Sequence, residues 1–183
     1  MTTLVGKIVS CHEHLQAAQV PHAFGGALAL AWCTAQARGT IDIDINLFVD
    51  AARAGEVLAA LPVDIRRDAE DLAKLQQETQ IRLWWDATPI DLFLNSTPYH
   101  TEVQTRVRWE AFAGSHLPFL SCPDLAVFKA FFNRTKDWAD LEAMRDAGTL
   151  DVRHVIGVLV EYLGADDERV RHLRELVGDR RIC

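Results

Sequence analysis

Residues 25–50 read GGALALAWCTAQARGTIDIDINLFVD, and this stretch decides the fold. Two glycines stand before an Ala- and Leu-rich run, Ala27 to Ala37, which lacks Gly and Pro and is a strong helix former. Arg38, Gly39 and Thr40 turn the chain. The period then changes to two. Ile41, Ile43, Ile45 and Leu47 alternate with Asp42, Asp44 and Asn46, which predicts a strand that is apolar on one face and acidic on the other.

An acidic strand face needs a reason, because Asp is depleted in strands. Carboxylates at i and i+2 point the same way, with Cα atoms roughly 6.5–7 Å apart. Like charges that near repel unless something positive sits between them. A hard divalent cation with oxygen ligands, such as magnesium, meets that need. Asp91 interrupts a second apolar strand, Ile90 to Leu94, entered through Thr88-Pro89. Placed beside the first strand, it brings a third carboxylate to the same sheet face. Such a set holds two metals, or one metal and a base, as in-line phosphoryl displacement requires. Gly25-Gly26 follows a short strand candidate, His22 to Phe24. Glycines there let the backbone approach a ligand, and the next helix offers its unpaired N–H groups to an anion.

Outward from this stretch, a helix is expected from about residue 3 to 18, ended by Pro21. A short helix from Asp50 to Leu61 precedes Pro62. Val63 to Ile65 is a strand candidate, Asp68 to Thr79 a polar helix or loop, and Ile81 to Trp85 a strand. Thr97 to Gly114 mixes charged and aromatic residues as a connector with some local structure. From Ser121, with Asp124 in a capping-box position and Pro123 in the first turn, one helix is expected to run to about Ala147. Helices over Val152–Tyr162 and Asp166–Val177 follow. The layout is α/β, a short mixed twisted sheet flanked by helices over residues 1–98, then a connector and small C-terminal helical region over 99–183.

The chain has 183 residues, 49% of them hydrophobic, enough for a real core. Its formal net charge of -7 recruits neither nucleic acid nor an anionic membrane. Cys11, Cys33, Cys122 and Cys183 lie far apart without a C-x-x-C pair, so idle or buried thiols are expected. The apolar stretch near the N-terminus is too short for a signal peptide or a span. Cytoplasmic residence with no membrane partner is the default. His12 and His14, at i and i+2 of a helix, diverge and make no zinc motif.

The run from Gly25 to Asp50, completed by Asp91 in PIDLFL, resembles the signature of the nucleotidyltransferase superfamily with the polymerase-beta-like fold. Arg38, Thr40, Asp42 and Asp44 are similar to the pattern of bacterial minimal nucleotidyltransferases, particularly the branch of abortive-infection toxins. LAVFKAFFNRTKDWADLE resembles that branch's helical motif through Lys129, Arg134, Lys136, Asp137 and Asp140. At 4, 3 and 4 spacing, Lys129, Asn133, Lys136 and Asp140 would share a face of one helix.

The resemblance implies a magnesium-dependent enzyme that moves an NMP group from an NTP to an acceptor hydroxyl and releases pyrophosphate. Asp42, Asp44 and Asp91 would bind metal, with Asp91 helping to deprotonate the acceptor. Gly25 and Gly26 would cradle phosphates, Arg38 and Thr40 would add a charge and a hydroxyl, and Lys129 and Lys136 would meet the nucleotide. Asp137 is a further catalytic candidate. The acceptor implied is tRNA, a protein hydroxyl or an aminoglycoside-like compound, and a toxin reading adds a cognate antitoxin. The alternative is a catalytically quiet nucleotide-binding or regulatory relative.

Overall fold

The computed structural model describes residues 2–37 and 39–178. Arg38, an expected phosphate contact, and Cys183 lie outside the described residues. The chain forms two compact units, Met1–Leu28 with Gly39–Leu120, and Ala29–Arg38 with Ser121–Cys183.

The first unit is built on a six-stranded mixed sheet. In chain order its elements are α1 (Leu4–Ala17), β1 (His22–Phe24), the start of α2 (Gly26–Thr34), β2 (Ile43–Leu47), a 3-10 turn (Ala51–Arg53), α3 (Ala54–Ala60), α4 (Ala69–Glu78), β3 (Gln80–Trp85), β4 (Thr88–Leu94), α5 (Tyr99–Thr105), β5 (Arg108–Phe112) and β6 (Ser115–Phe119). The strand order is β3-β4-β2-β1-β6-β5. β2 runs parallel to β4 and antiparallel to β1, while β1 is parallel to β6. Ile43, Ile45 and Leu47 of β2, with Ile90, Leu92 and Leu94 of β4, are at most 1% exposed and form the sheet's apolar face. The period-two reading holds over Ile43–Leu47 and Ile90–Leu94, while Ile41, expected on the apolar face, lies ahead of β2 and is 70% exposed. Trp84 and Trp85 take opposite faces, one 45% exposed and one 5%.

One expectation in this unit is corrected. Val63 to Ile65 is no strand. The chain turns there, Ile65 N–H donating to Pro62 O, and Val63 stands 87% exposed. The connector over residues 97–114 contains α5 and β5, and β5 pairs with β6, which extends the sheet past residue 98. The unit consequently reaches Leu120.

α1 is capped by Thr3, whose hydroxyl accepts from Gly6 N–H. It packs on α3 and β6. Lys7 is buried and clamps the β3–β4 turn. Its ammonium donates to Trp85 O (2.7 Å) and Thr88 Oγ1 (3.1 Å) and pairs with Asp86. Further along the helix, His12 joins His22 of β1, Nδ1 to Nε2 at 3.0 Å. His22 Nδ1 lies 2.8 Å from Val20 O, an acceptor only, so it carries the proton and its Nε2 accepts from His12. A proton on His22 Nε2 would meet the His12 N–H head-on. Burial is the main cause that lowers His22 to about 4, with His12 adding to it, and His12 is lowered in the same direction by burial. The folded state therefore binds fewer protons than the unfolded chain between these values. Stability present above about pH 6.5 should fall as pH drops towards 4, by roughly 3 kcal/mol from His22. Urea titrations across this window should show the loss, and His22→Gln should flatten it.

The second unit holds the rest of α2 with α6 (Cys122–Phe132), α7 (Thr135–Asp146), α8 (Val152–Leu163) and α9 (Glu168–Leu176). α6 packs on α7 and α8, and α8 on α9. Its core includes Leu125, Ala126, Val127, Ala130, Leu141, Met144, Leu159 and Leu173. Ser121 caps α6 as expected, accepting from Asp124 N–H and donating to the Asp124 carboxylate. The single helix expected to Ala147 is broken. Asn133 takes a left-handed conformation (φ 55°) and caps α6, bonding Lys129 O, and α7 starts anew. Lys129 and Asp140 hence lie on different helices.

The cysteine expectation is also corrected. Cys33 and Cys122 form a disulfide across 89 residues, with Cα atoms 5.6 Å apart. Cys11 is a buried thiol, pushed up to about 12 by burial.

Candidate active site

The parallel register sets Asp44 beside Asp91. The antiparallel register of the next pair sets Asp91 beside Arg82 of β3. Paired residues share a face, so Arg82, Asp91 and Asp44 form one row across three adjacent strands about 4.8 Å apart. The row is tied at its outer end. Arg82 Nε donates to Asp91 Oδ1 at 2.7 Å and Nη2 to Oδ2 at 2.6 Å, a fork-on-fork pair. The Asp91 side chain is 15% exposed and that of Arg82 51%. The Asp91 hydrogen bonds hold the Arg82 guanidinium further above its usual range, and the charges of Asp42 and Asp44 act in the same direction. All three expected carboxylates thus act on one cation. Asp42 sits just ahead of β2, where Thr40 Oγ1 donates to its Oδ1 at 2.7 Å.

The inner end of the row meets the glycines. Gly25 N–H donates to Asp44 O at 2.9 Å, which fixes the turn against β2. Gly26 has φ +52°, and a Cβ there would lie 1.8 Å from Asp44 Oδ2. The Asp44 carboxylate occupies the space that any side chain at 26 would need. Gly25 is backed by Asn46 Nδ2, 2.7 Å from where its Cβ would be. Gly26→Ala should therefore cost about 1–2 kcal/mol from the left-handed backbone alone and push Asp44 out of the row. Denaturant titration would measure the loss. Gly25→Ala, which meets the movable end of Asn46, should be milder.

Among the described residues, no three His, Cys, Asp or Glu side chains stand grouped as a ready-made metal site. The donor chemistry nevertheless suits magnesium. The row offers hard carboxylate oxygens, Gly26 is shaped around one of them, and the set already draws a cation to itself.

The remaining expected residues lie in the second unit. Lys129 is buried, its ammonium 2.6 Å from Asp140 Oδ2 and 3.7 Å from Asp137 Oδ1. Arg134 holds Asp137 from the other side through Nε (2.6 Å) and Nη2 (3.2 Å). Lys136 is exposed in the first turn of α7. The motif residues Lys129, Arg134, Asp137 and Asp140 form one charge network, and Lys136 stands outside it. Sequence reasoning missed Arg82. The signal was the tight β3–β4 turn, because counting back from Trp85↔Thr88 pairs Arg82 with Asp91.

No family model matches the chain, and no curated protein matches it. Solved structures do. The antibiotic-resistance factor ANT(2'')-Ia, studied in solution, superposes with a TM-score of 0.56 at 17% identity, over 98% of this chain and 93% of its own. A crystal structure of ANT(2'')-Ia with adenylyl-2''-tobramycin gives 0.56 at 16% identity, over 95% and 96%. An antigenic nucleotidyltransferase-like protein from Paracoccidioides brasiliensis gives 0.54 at 16% identity, over 95% and 88%. Likeness at this level of identity speaks for architecture alone: this chain has the nucleotidyltransferase fold.

Proposed function

We propose that the protein transfers a nucleotidyl group from an NTP to an acceptor hydroxyl, with pyrophosphate as the second product. The observation that carries this reading is the row Asp44–Asp91–Arg82 closed by Gly26, which gathers acidic groups under a glycine turn at a helix start. Asp42, Asp44 and Asp91 would hold magnesium, which when bound neutralises phosphate charge and polarises the reacting oxygens. The chain's own groups divide the rest of the work. The N–H groups at the start of α2 and the turn of Gly25 and Gly26 receive phosphate oxygens. Arg38, Thr40, Lys129 and Lys136 are the proposed further contacts to the nucleotide, and Asp137 is a further catalytic candidate. Asp91 takes the proton from the acceptor hydroxyl as its oxygen bonds the α-phosphorus. The bond to the pyrophosphate oxygen breaks in the same displacement.

For the acceptor, net charge favours a small cationic compound over a polyanion. A chain at -7 attracts an amino sugar and repels tRNA at long range. ANT(2'')-Ia, seen with adenylyl-2''-tobramycin, is consistent with that preference. The reading is tested by incubating the protein with each α-labelled NTP and magnesium, against an aminoglycoside panel, total tRNA and cell extract. Label transfer to an aminoglycoside is the expected result. Transfer to tRNA would reassign the acceptor and favour the toxin-like role with its antitoxin. NTP binding without pyrophosphate release under every condition would leave a quiet nucleotide-binding relative.

A further inference from the structure

Both oxygens of Asp91 are capped by Arg82, at 2.7 and 2.6 Å. A carboxylate so capped has few lone pairs left for a second cation, and the guanidinium repels any cation that approaches. The two partners differ in freedom. Asp91 is 15% exposed and set in a strand hydrogen-bonded on both sides, whereas Arg82 is 51% exposed on β3, at the sheet's edge. The arginine can swing into water and the aspartate cannot follow.

We propose that Arg82 is an internal counter-cation that competes with the divalent metal for Asp91, so that the carboxylate row loads metal only as Arg82 lets go. This rests on the metal-dependent reading above and adds an order to it. Arg82 holds Asp91 aimed along the row. A nucleotide's phosphates offer the guanidinium a new bidentate partner. Metal and NTP then enter as a coupled pair, each favouring the other. Arg82 is a positioning residue: it acts through Asp91.

The experiment measures Mn2+ binding to the full protein, without nucleotide, by the loss of the free-ion electron paramagnetic resonance signal. Wild type should bind weakly. Arg82→Gln, which removes the charge and the fork, should bind about tenfold tighter. Arg82→Lys keeps the charge but caps a single oxygen and should fall between them. Adding Asp44→Asn to Arg82→Gln should abolish the gain, and circular dichroism checks that each variant is folded. A merely structural arginine would give the opposite result, since its loss would loosen the site and weaken binding. Arg82→Gln binding no more tightly than wild type, while Asp44→Asn still weakens binding, would overturn the competition and leave the metal site standing. No Mn2+ bound by any variant would overturn the metal-dependent reading and this inference with it.

Discussion

Asp44→Asn should lower nucleotidyl transfer roughly 10³-fold, the several kcal/mol that metal-assisted charge stabilisation contributes, and leave the fold intact. The position is where three constraints meet. Its carboxylate fills the space over Gly26, its backbone oxygen accepts from Gly25, and its strand neighbour is Asp91. Asn keeps the volume and so keeps the glycine turn. What it removes is the charge. The side chain is only part-buried, and its attraction towards Arg82 is to a half-exposed group. The change in stability should therefore stay within about 1 kcal/mol. Single-turnover assays with labelled NTP, run beside urea unfolding, separate the two quantities. Wild-type turnover in the variant would remove Asp44 from the chemistry.

Lys129→Ala should have the largest effect on stability, a loss of about 3–5 kcal/mol. Its ammonium is 7% exposed and neutralises an Asp140 carboxylate that is 4% exposed. Asp137 is better insured, because Arg134 reaches it through two nitrogens and a backbone N–H. The variant would therefore take from Asp140 its 2.6 Å ammonium partner. Replacing both partners by apolar residues, Lys129→Met with Asp140→Leu, should cost less than the single change. Denaturant titration measures both. The nucleotide contact proposed for Lys129 has its own signature. Corrected for folded fraction, the KM for NTP rises in Lys129→Ala if the ammonium meets the nucleotide, and stays put if the network is its whole role.

The strand pair that carries Asp44 and Asp91 was legible because each strand keeps one wholly apolar face, buried in the structure, with an aspartate interrupting the other. The glycines were legible as a turn before a helix. Their fit against Asp44 was not, since it depends on where β2 lies. β5 went unread for a different reason: its residues are exposed or half-exposed on both faces, so it carries no alternation. The break between α6 and α7 escaped notice because good helix formers flank Asn133, whose preference for helix ends is realised in its left-handed φ. Arg82 was hidden by treating strands singly. Its meaning is a matter of register, and register needs two strands. The disulfide needed the whole fold, because nothing local relates Cys33 to Cys122.

That cross-link has a topological meaning. Asp42, Asp44, Arg82 and Asp91 all lie between Cys33 and Cys122 in sequence, so the oxidised chain carries its whole acidic row inside one covalent ring. A single peptide-bond cut anywhere from β2 to β6 would open the ring without releasing a fragment, and the nicked protein would separate only once reduced. The ring also persists in the unfolded chain. Closing a loop of this size removes about 4–5 kcal/mol of disorder from it in the chain-entropy view. The thiol poise around the protein thus sets how readily the row reassembles after it is lost.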